Sequence, residues 1–153
     1  MNTDLEFVPV PPAELDRIRS NGIDDYGNPF TVQTTETGPP LRCLTLSTVG
    51  EQAALIAYRA SPFGGPYAEV GPVFVQAEPC RGFAGDIFPA DFRERRAVLR
   101  PYDADGLMLD GIVAEPGTSE GKLKRLVTDP QVALVHVRNL TAGCWNFSVR
   151  RRP

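Results

Sequence analysis

The stretch VHVRNLTAGCW, Val135 to Trp145, gathers the chain's single histidine, His136, its single tryptophan, Trp145, and one of its three cysteines, Cys144. Arg138 lies inside it and Asn146 follows it. These residue types carry acid–base, nucleophilic and anion-binding chemistry. Histidine exchanges protons near neutral pH. A cysteine beside positive charge is held more readily as the reactive thiolate. Arginine grips a carboxylate or phosphate through two parallel hydrogen bonds. A second cluster, EPCRG, sets Cys80 next to Arg81 in a loop, a thiol beside a guanidinium. Loops carry function more often than cores do. The candidate catalytic residues are therefore His136, Cys144 and Cys80. The candidate ligand-binding residues are Arg138, Asn146 and Arg81. A plainer reading stands beside each: a histidine on a strand is commonly a hydrogen-bonded structural residue, and cysteine is a common small core filler.

What brings the first cluster together is a predicted hairpin. Val132 to Val137 is apolar on both sides, as in a well-covered strand. Cys144 to Arg150 alternates, with Trp145, Phe147 and Val149 on one side. Pairing Val137 with Trp145, Val135 with Phe147 and Ala133 with Val149 makes one sheet face wholly apolar. The other face then carries His136 opposite Asn146 and Arg138 opposite Cys144. This predicted polar quartet depends on Trp145 and His136 projecting to opposite sides, with the Cys80 loop folding over the polar face.

Upstream, Pro11 and Pro12 open a helix whose stripe is Leu15 and Ile18 and whose stop is Asn21-Gly22. Asp24 to Pro29 is turn chemistry. Strands are expected at Thr31–Thr35, Cys43–Leu46, Ala53–Tyr58 and Val70–Val75. Pro72 donates no ladder hydrogen bond, which predicts an edge or bulged strand at Val70–Val75, where another subunit could pair. Pro89–Arg95 suits one or two helical turns. Ala97–Tyr102 and Leu107–Val113 form a hairpin around Asp103-Ala104-Asp105-Gly106. Thr118 or Ser119 caps a second helix that runs to Thr128. Strands come in runs and do not alternate with helices. The expected fold is α+β: a mostly antiparallel sheet with about two helices, in one domain spanning residues 1–153.

Several stretches imitate functional motifs. FGGPYAEVG is glycine-rich, but Pro66 and Pro72 lack the N–H groups a phosphate cradle needs, and no Gly-Lys-Ser/Thr follows. DADG with Asp110 lacks the remaining oxygen donors of a calcium loop. Cys43, Cys80, Cys144 and His136 show no paired short spacing, so no metal site is expected. RERR and the terminal RRR are not interleaved with aromatic residues, and the net charge is -3, so no nucleic-acid partner is expected. No apolar run approaches the ~18 residues that span a bilayer, and the N-terminus has no signal-peptide pattern. With an odd number of widely spaced cysteines, this predicts a cytoplasmic protein with reduced thiols.

The motifs GPYAEVGPVFVQAEPC, LRPYDADGLMLDG, TDPQVALVHVRN and GCWNF, in that order, resemble the bacterial family called domain of unknown function 1203. The likeness runs from about Leu41 to Arg150. It departs from the family pattern at Gln76, where a histidine is frequent. The resemblance implies a small bacterial protein of one domain and transfers no activity, cofactor or catalytic residue. Two functional expectations remain. One is a small binding module for an anionic metabolite or a protein partner. The other is a small Cys/His-dependent enzyme of a specialised biosynthetic pathway, with Cys144 or Cys80 as nucleophile, His136 as base, and Arg138 or Arg81 holding the anion.

Overall fold

The computed structural model describes residues 5–35, 40–41, 45–46, 50–79 and 87–153. Among these, ten strands form two five-stranded sheets. The first sheet has the order β1 (Leu5–Val8), β10 (Trp145–Arg151), β9 (Leu134–Asn139), β7 (Ala97–Tyr102), β8 (Ile112–Ala114), antiparallel throughout. The second has the order β2 (Val32–Thr34), β5 (Gln52–Arg59), β6 (Val70–Gln76), β3 (Pro40–Leu41), β4 (Thr45–Leu46), with β3 and β6 parallel and the other pairs antiparallel. Two helices, α1 (Pro12–Asn21) and α2 (Ser119–Thr128), complete the α+β fold, with a short 3-10 turn at Ala90–Phe92. The expected class stands, with two sheets where one was expected. No helix among the described residues is long and apolar enough to cross a membrane.

Local chemistry explains the helix ends. Proline at the opening of α1 has no donor to waste, and Leu15 and Ile18, one turn apart, are both buried. Gly22 closes the helix at φ 68°, and its N–H donates to the Ile18 carbonyl at 2.9 Å. Asp24 then fixes the following turn. Its carboxylate accepts from the backbone N–H groups of Tyr26 and Asn28 and, across the chain, from Ala57 of β5.

Pro72 lies in a strand with neighbours on both sides, not at an edge. It pairs with Ala57, whose N–H points to Asp24 and therefore away from β6. The pair is a non-hydrogen-bonded one, so the donor that proline lacks falls on the side away from β5. There β3 is two residues long and meets β6 at Phe74. The strand accepts its proline because no ladder bond among the described residues requires that N–H.

Two apolar clusters hold the layers. Leu99, Val135, Val137, Phe147 and Val149 of the first sheet pack with Leu123 and Val127 of α2 and with Phe88 and Phe92. Phe147 meets Phe7, Phe88 and Phe92 edge-on, with centroids 5.2–6.2 Å apart. The second cluster joins Leu15 and Ile18 of α1 to Ala54, Ile56, Val73 and Val75 of the second sheet, and Trp145 enters it from the first. Trp145 thus ties the two sheets together.

Candidate functional site

The last hairpin does not take the predicted register. Trp145 pairs with Arg138, Phe147 with Val137, Ser148 with His136 and Val149 with Val135. One extra residue, Asn146, is accommodated by a bulge between Trp145 and Phe147. The bulge reverses the alternation. Trp145 shares the face of His136 and Arg138, while Phe147 enters the cluster against α2. The condition set for the polar quartet is therefore not met. Asn146 is carried to the opposite face, where its Nδ2 donates to Asn139 Oδ1 at 3.0 Å and Arg95 donates to the same oxygen at 3.1 Å. It belongs to a structural polar cluster and not to the site. Cys80 and Arg81 lie outside the described residues, as does Cys43.

His136, Arg138 and Cys144 do come together, in a different place. The second sheet stands over their face, and between the sheets lies a cavity of about 220 Å³. His136, Arg138, Cys144 and Trp145 line it from the first sheet, Tyr58 and Val73 from the second, and Tyr67 and Glu69 from the segment entering β6. Tyr58 and Trp145 lie ring to ring, 5.4 Å between centroids. Trp145 Nε1 donates to Ser148 Oγ at 3.0 Å, which settles the polar end of a largely buried indole.

His136 is 3% exposed. Its ring lies 4.9 Å from that of Tyr102 and 6.4 Å from that of Trp145. Neither ring nitrogen has a hydrogen-bond partner among the described residues. Burial, and then the positive charges of Arg138 and Arg100, push its pKa down to about 3. The imidazole is thus neutral at ordinary pH, with one N–H donor and one lone-pair acceptor, both unmet.

Arg138 is held in place by protein. Nη1 donates to the Gly143 carbonyl at 2.9 Å, where the hairpin loop turns through φ 75°, and Nη2 donates to Glu69 Oε2 at 2.7 Å. Its Nε is buried with no partner among the described residues. Arg100, directly opposite His136 on β7, brings Nη1 to 3.8 Å from Glu69 Oε1. One carboxylate therefore bridges the two guanidiniums that flank the imidazole. Cys144 is partly exposed, and its Sγ lies 3.8 Å from the Ala142 carbonyl oxygen. No hydrogen bond joins it to His136. Among the described residues no group of three or more His, Cys, Asp or Glu side chains is arranged to hold a metal ion.

Sequence reasoning missed Glu69, Tyr67, Tyr58 and Tyr102. They sit in a loop and on strands distant in sequence from the hairpin, and no spacing announces them. The signal that existed was coarse: the stretch GPYAEVG, which cannot form a phosphate cradle, contains both Tyr67 and Glu69. Gln76 lies at the far end of β6 from the cavity, which touches that strand at Val70 to Val73.

The chain is thus an α+β protein of two sheets with a small cavity between them, lined by aromatic rings and positive charge. The profile of the family described as "Protein of unknown function (DUF1203)" matches residues 38–151. The chain belongs to this family. No curated protein and no solved structure matches it.

Proposed function

We propose that the protein binds a small anionic metabolite in the cavity between its sheets. The observation that carries the reading is His136: a neutral imidazole buried on the cavity wall with both nitrogens unpartnered among the described residues. Each unmet buried polar atom costs about 1–3 kcal/mol, and native folds rarely keep such groups without a reason. A ligand that supplies the missing hydrogen bonds recovers that free energy on binding. Arg138 lines the polar end of the cavity, and Arg100, outside the lining, lies beside Glu69, so two arginines stand against one glutamate around that end, which favours an anion over a cation. The rings of Tyr58, Tyr67 and Trp145 offer flat apolar walls to the rest of the ligand.

The Cys/His enzyme is the weaker reading. A nucleophile needs its base within hydrogen-bond reach, and His136 and Cys144 are not so joined. An imidazole whose pKa is near 3 is also a feeble general base at neutral pH.

Trp145, the single tryptophan, stands in the cavity wall and serves as a reporter. Titration with 4-fluorobenzoate and short aliphatic carboxylates should give a saturable change in its fluorescence, and Arg138→Gln should weaken it. No saturable change with any of them, or the same titration in the variant, would overturn the reading.

A further inference from the structure

The segment entering β6 places Glu69, a half-exposed carboxylate, against Arg138, whose side chain is 11% exposed. Surface glutamates usually face water. This one reaches in so that Oε2 accepts from Arg138 and Oε1 lies toward Arg100. A planar group with one oxygen for each guanidinium is the shape of any carboxylate. The protein's own carboxylate therefore marks a position for an anion at the polar end of the cavity, beside the unpartnered imidazole. The pair is also unevenly held. Arg138 is anchored by the Gly143 carbonyl, whereas Glu69 has half its side chain in water. The glutamate is the member free to leave. Arg138 Nε, buried and unpartnered among the described residues, would complete a two-pronged grip on a carboxylate that replaced it.

We infer that Glu69 is an internal stand-in for the ligand's acid group: the ligand is a carboxylate with an apolar or aromatic body, and it displaces Glu69 from Arg138 and Arg100. This rests on the binding reading above and adds the ligand class and the residue that sets its selectivity. With Glu69 in place, a neutral molecule meets an arginine already satisfied and gains little. A carboxylate exchanges one ion pair for another and can also engage the histidine. Glu69 thus lowers the affinity for every acid by the strength of its own pairing, and it excludes weaker anions.

The test uses the full chain, with 4-fluorobenzoate and its neutral counterpart 4-fluorobenzamide followed by fluorine NMR. In Glu69→Gln, which removes the competing charge but keeps the size, 4-fluorobenzoate should bind at least about fivefold more tightly. The affinity for 4-fluorobenzamide should stay within about twofold. Glu69→Asp, too short to span both guanidiniums, should fall between wild type and Glu69→Gln for the acid. If the acid binds the variant no better, or less well, Glu69 is not a competitor, although binding in the cavity would stand. If inorganic phosphate displaces 4-fluorobenzoate as readily as a second carboxylate does, the assignment to carboxylates fails. If neither probe binds wild type or variant, the binding reading itself falls, and this inference with it.

Discussion

Trp145 and Phe147 stand two residues apart on one strand yet enter opposite layers of the protein. Trp145 packs with Tyr58 and the second sheet, and Phe147 packs with Phe7, Phe88 and Phe92 on the side of α2. The bulge at Asn146 makes this possible, and Asn146 is itself secured by Asn139. The consequence is functional. By turning the indole toward His136, the bulge gives the cavity its aromatic wall.

Because the two rings belong to separate core clusters, their contributions to stability should be nearly independent. Trp145→Phe gives up the hydrogen bond to Ser148 and part of a ring, and Phe147→Leu leaves a small void; each should cost about 1–2 kcal/mol. In urea unfolding the double variant should equal the sum of the single ones within about 0.5 kcal/mol. A coupling well above that would mean that the two layers are one.

Stability should fall with pH in a window set by His136. Its pKa lies at about 3 in the fold against an ordinary 6.5. The unfolded chain therefore takes up the proton first as pH drops below 6.5, and the folded state loses ground until about pH 3. Arg100 and Arg138, on the same face, oppose the charged ring, and the Glu69 carboxylate between them offsets that in part. Glu6 and Asp24, whose carboxyls are also held low, begin to add to the slope only from about 4.5 downward. Between roughly pH 6.5 and 4.5 the loss should be about 2 kcal/mol and should vanish in His136→Gln. An equal slope in wild type and variant would contradict a neutral, buried imidazole.

Gly106 should be less replaceable than Gly22, although both have positive φ. A Cβ at Gly22 meets nothing within 4 Å, so Gly22→Ala should cost about 1 kcal/mol, the ordinary left-handed penalty. At Gly106 a Cβ would lie 2.6 Å from Phe63 Cβ and 3.1 Å from the Gly64 carbonyl oxygen. Those residues belong to the segment that leads to Tyr67 and Glu69. Gly106→Ala should therefore cost at least about 2 kcal/mol and also weaken ligand binding, whereas Gly22→Ala should leave binding unchanged. Chemical denaturation and the Trp145 titration measure the two effects.

Much of the fold is legible in the sequence, because local rules govern it. Both helices begin and end close to where proline, glycine and the apolar stripes put them. The turn before β8 closes on Gly106 at φ 82°, with Asp103 Oδ1 accepting from the N–H groups of Asp105 and Leu107. What misled was period-two alternation taken as rigid. Cys144 to Val149 alternates in letters, but a single inserted residue reverses which face each letter serves. Nothing in Asn146 by itself announces the bulge; Asn139, which accepts from it and from Arg95, is a strand away. The strand β1 was also missed, although Leu5 and Phe7 alternate in burial with their neighbours, because four residues beside a proline-rich segment give a weak pattern. Of the site, the hairpin revealed His136, Arg138 and Cys144, since they are close in sequence. Glu69, Tyr58 and Tyr67 reach the cavity only through the packing of one sheet on the other, and Tyr102 reaches His136 from the neighbouring strand, none of which local spacing encodes.

The central claim is that a ligand's acid group meets His136 and Arg138 inside the cavity. With a single histidine, the imidazole nitrogens give one pair of ¹⁵N resonances, which report the ring directly. Near neutral pH the free protein should show a neutral imidazole. Saturating 4-fluorobenzoate should move at least one ring nitrogen in step with the Trp145 fluorescence. If the probe binds while both nitrogens stay where they were, the ligand lies elsewhere and the assignment of this cavity is wrong.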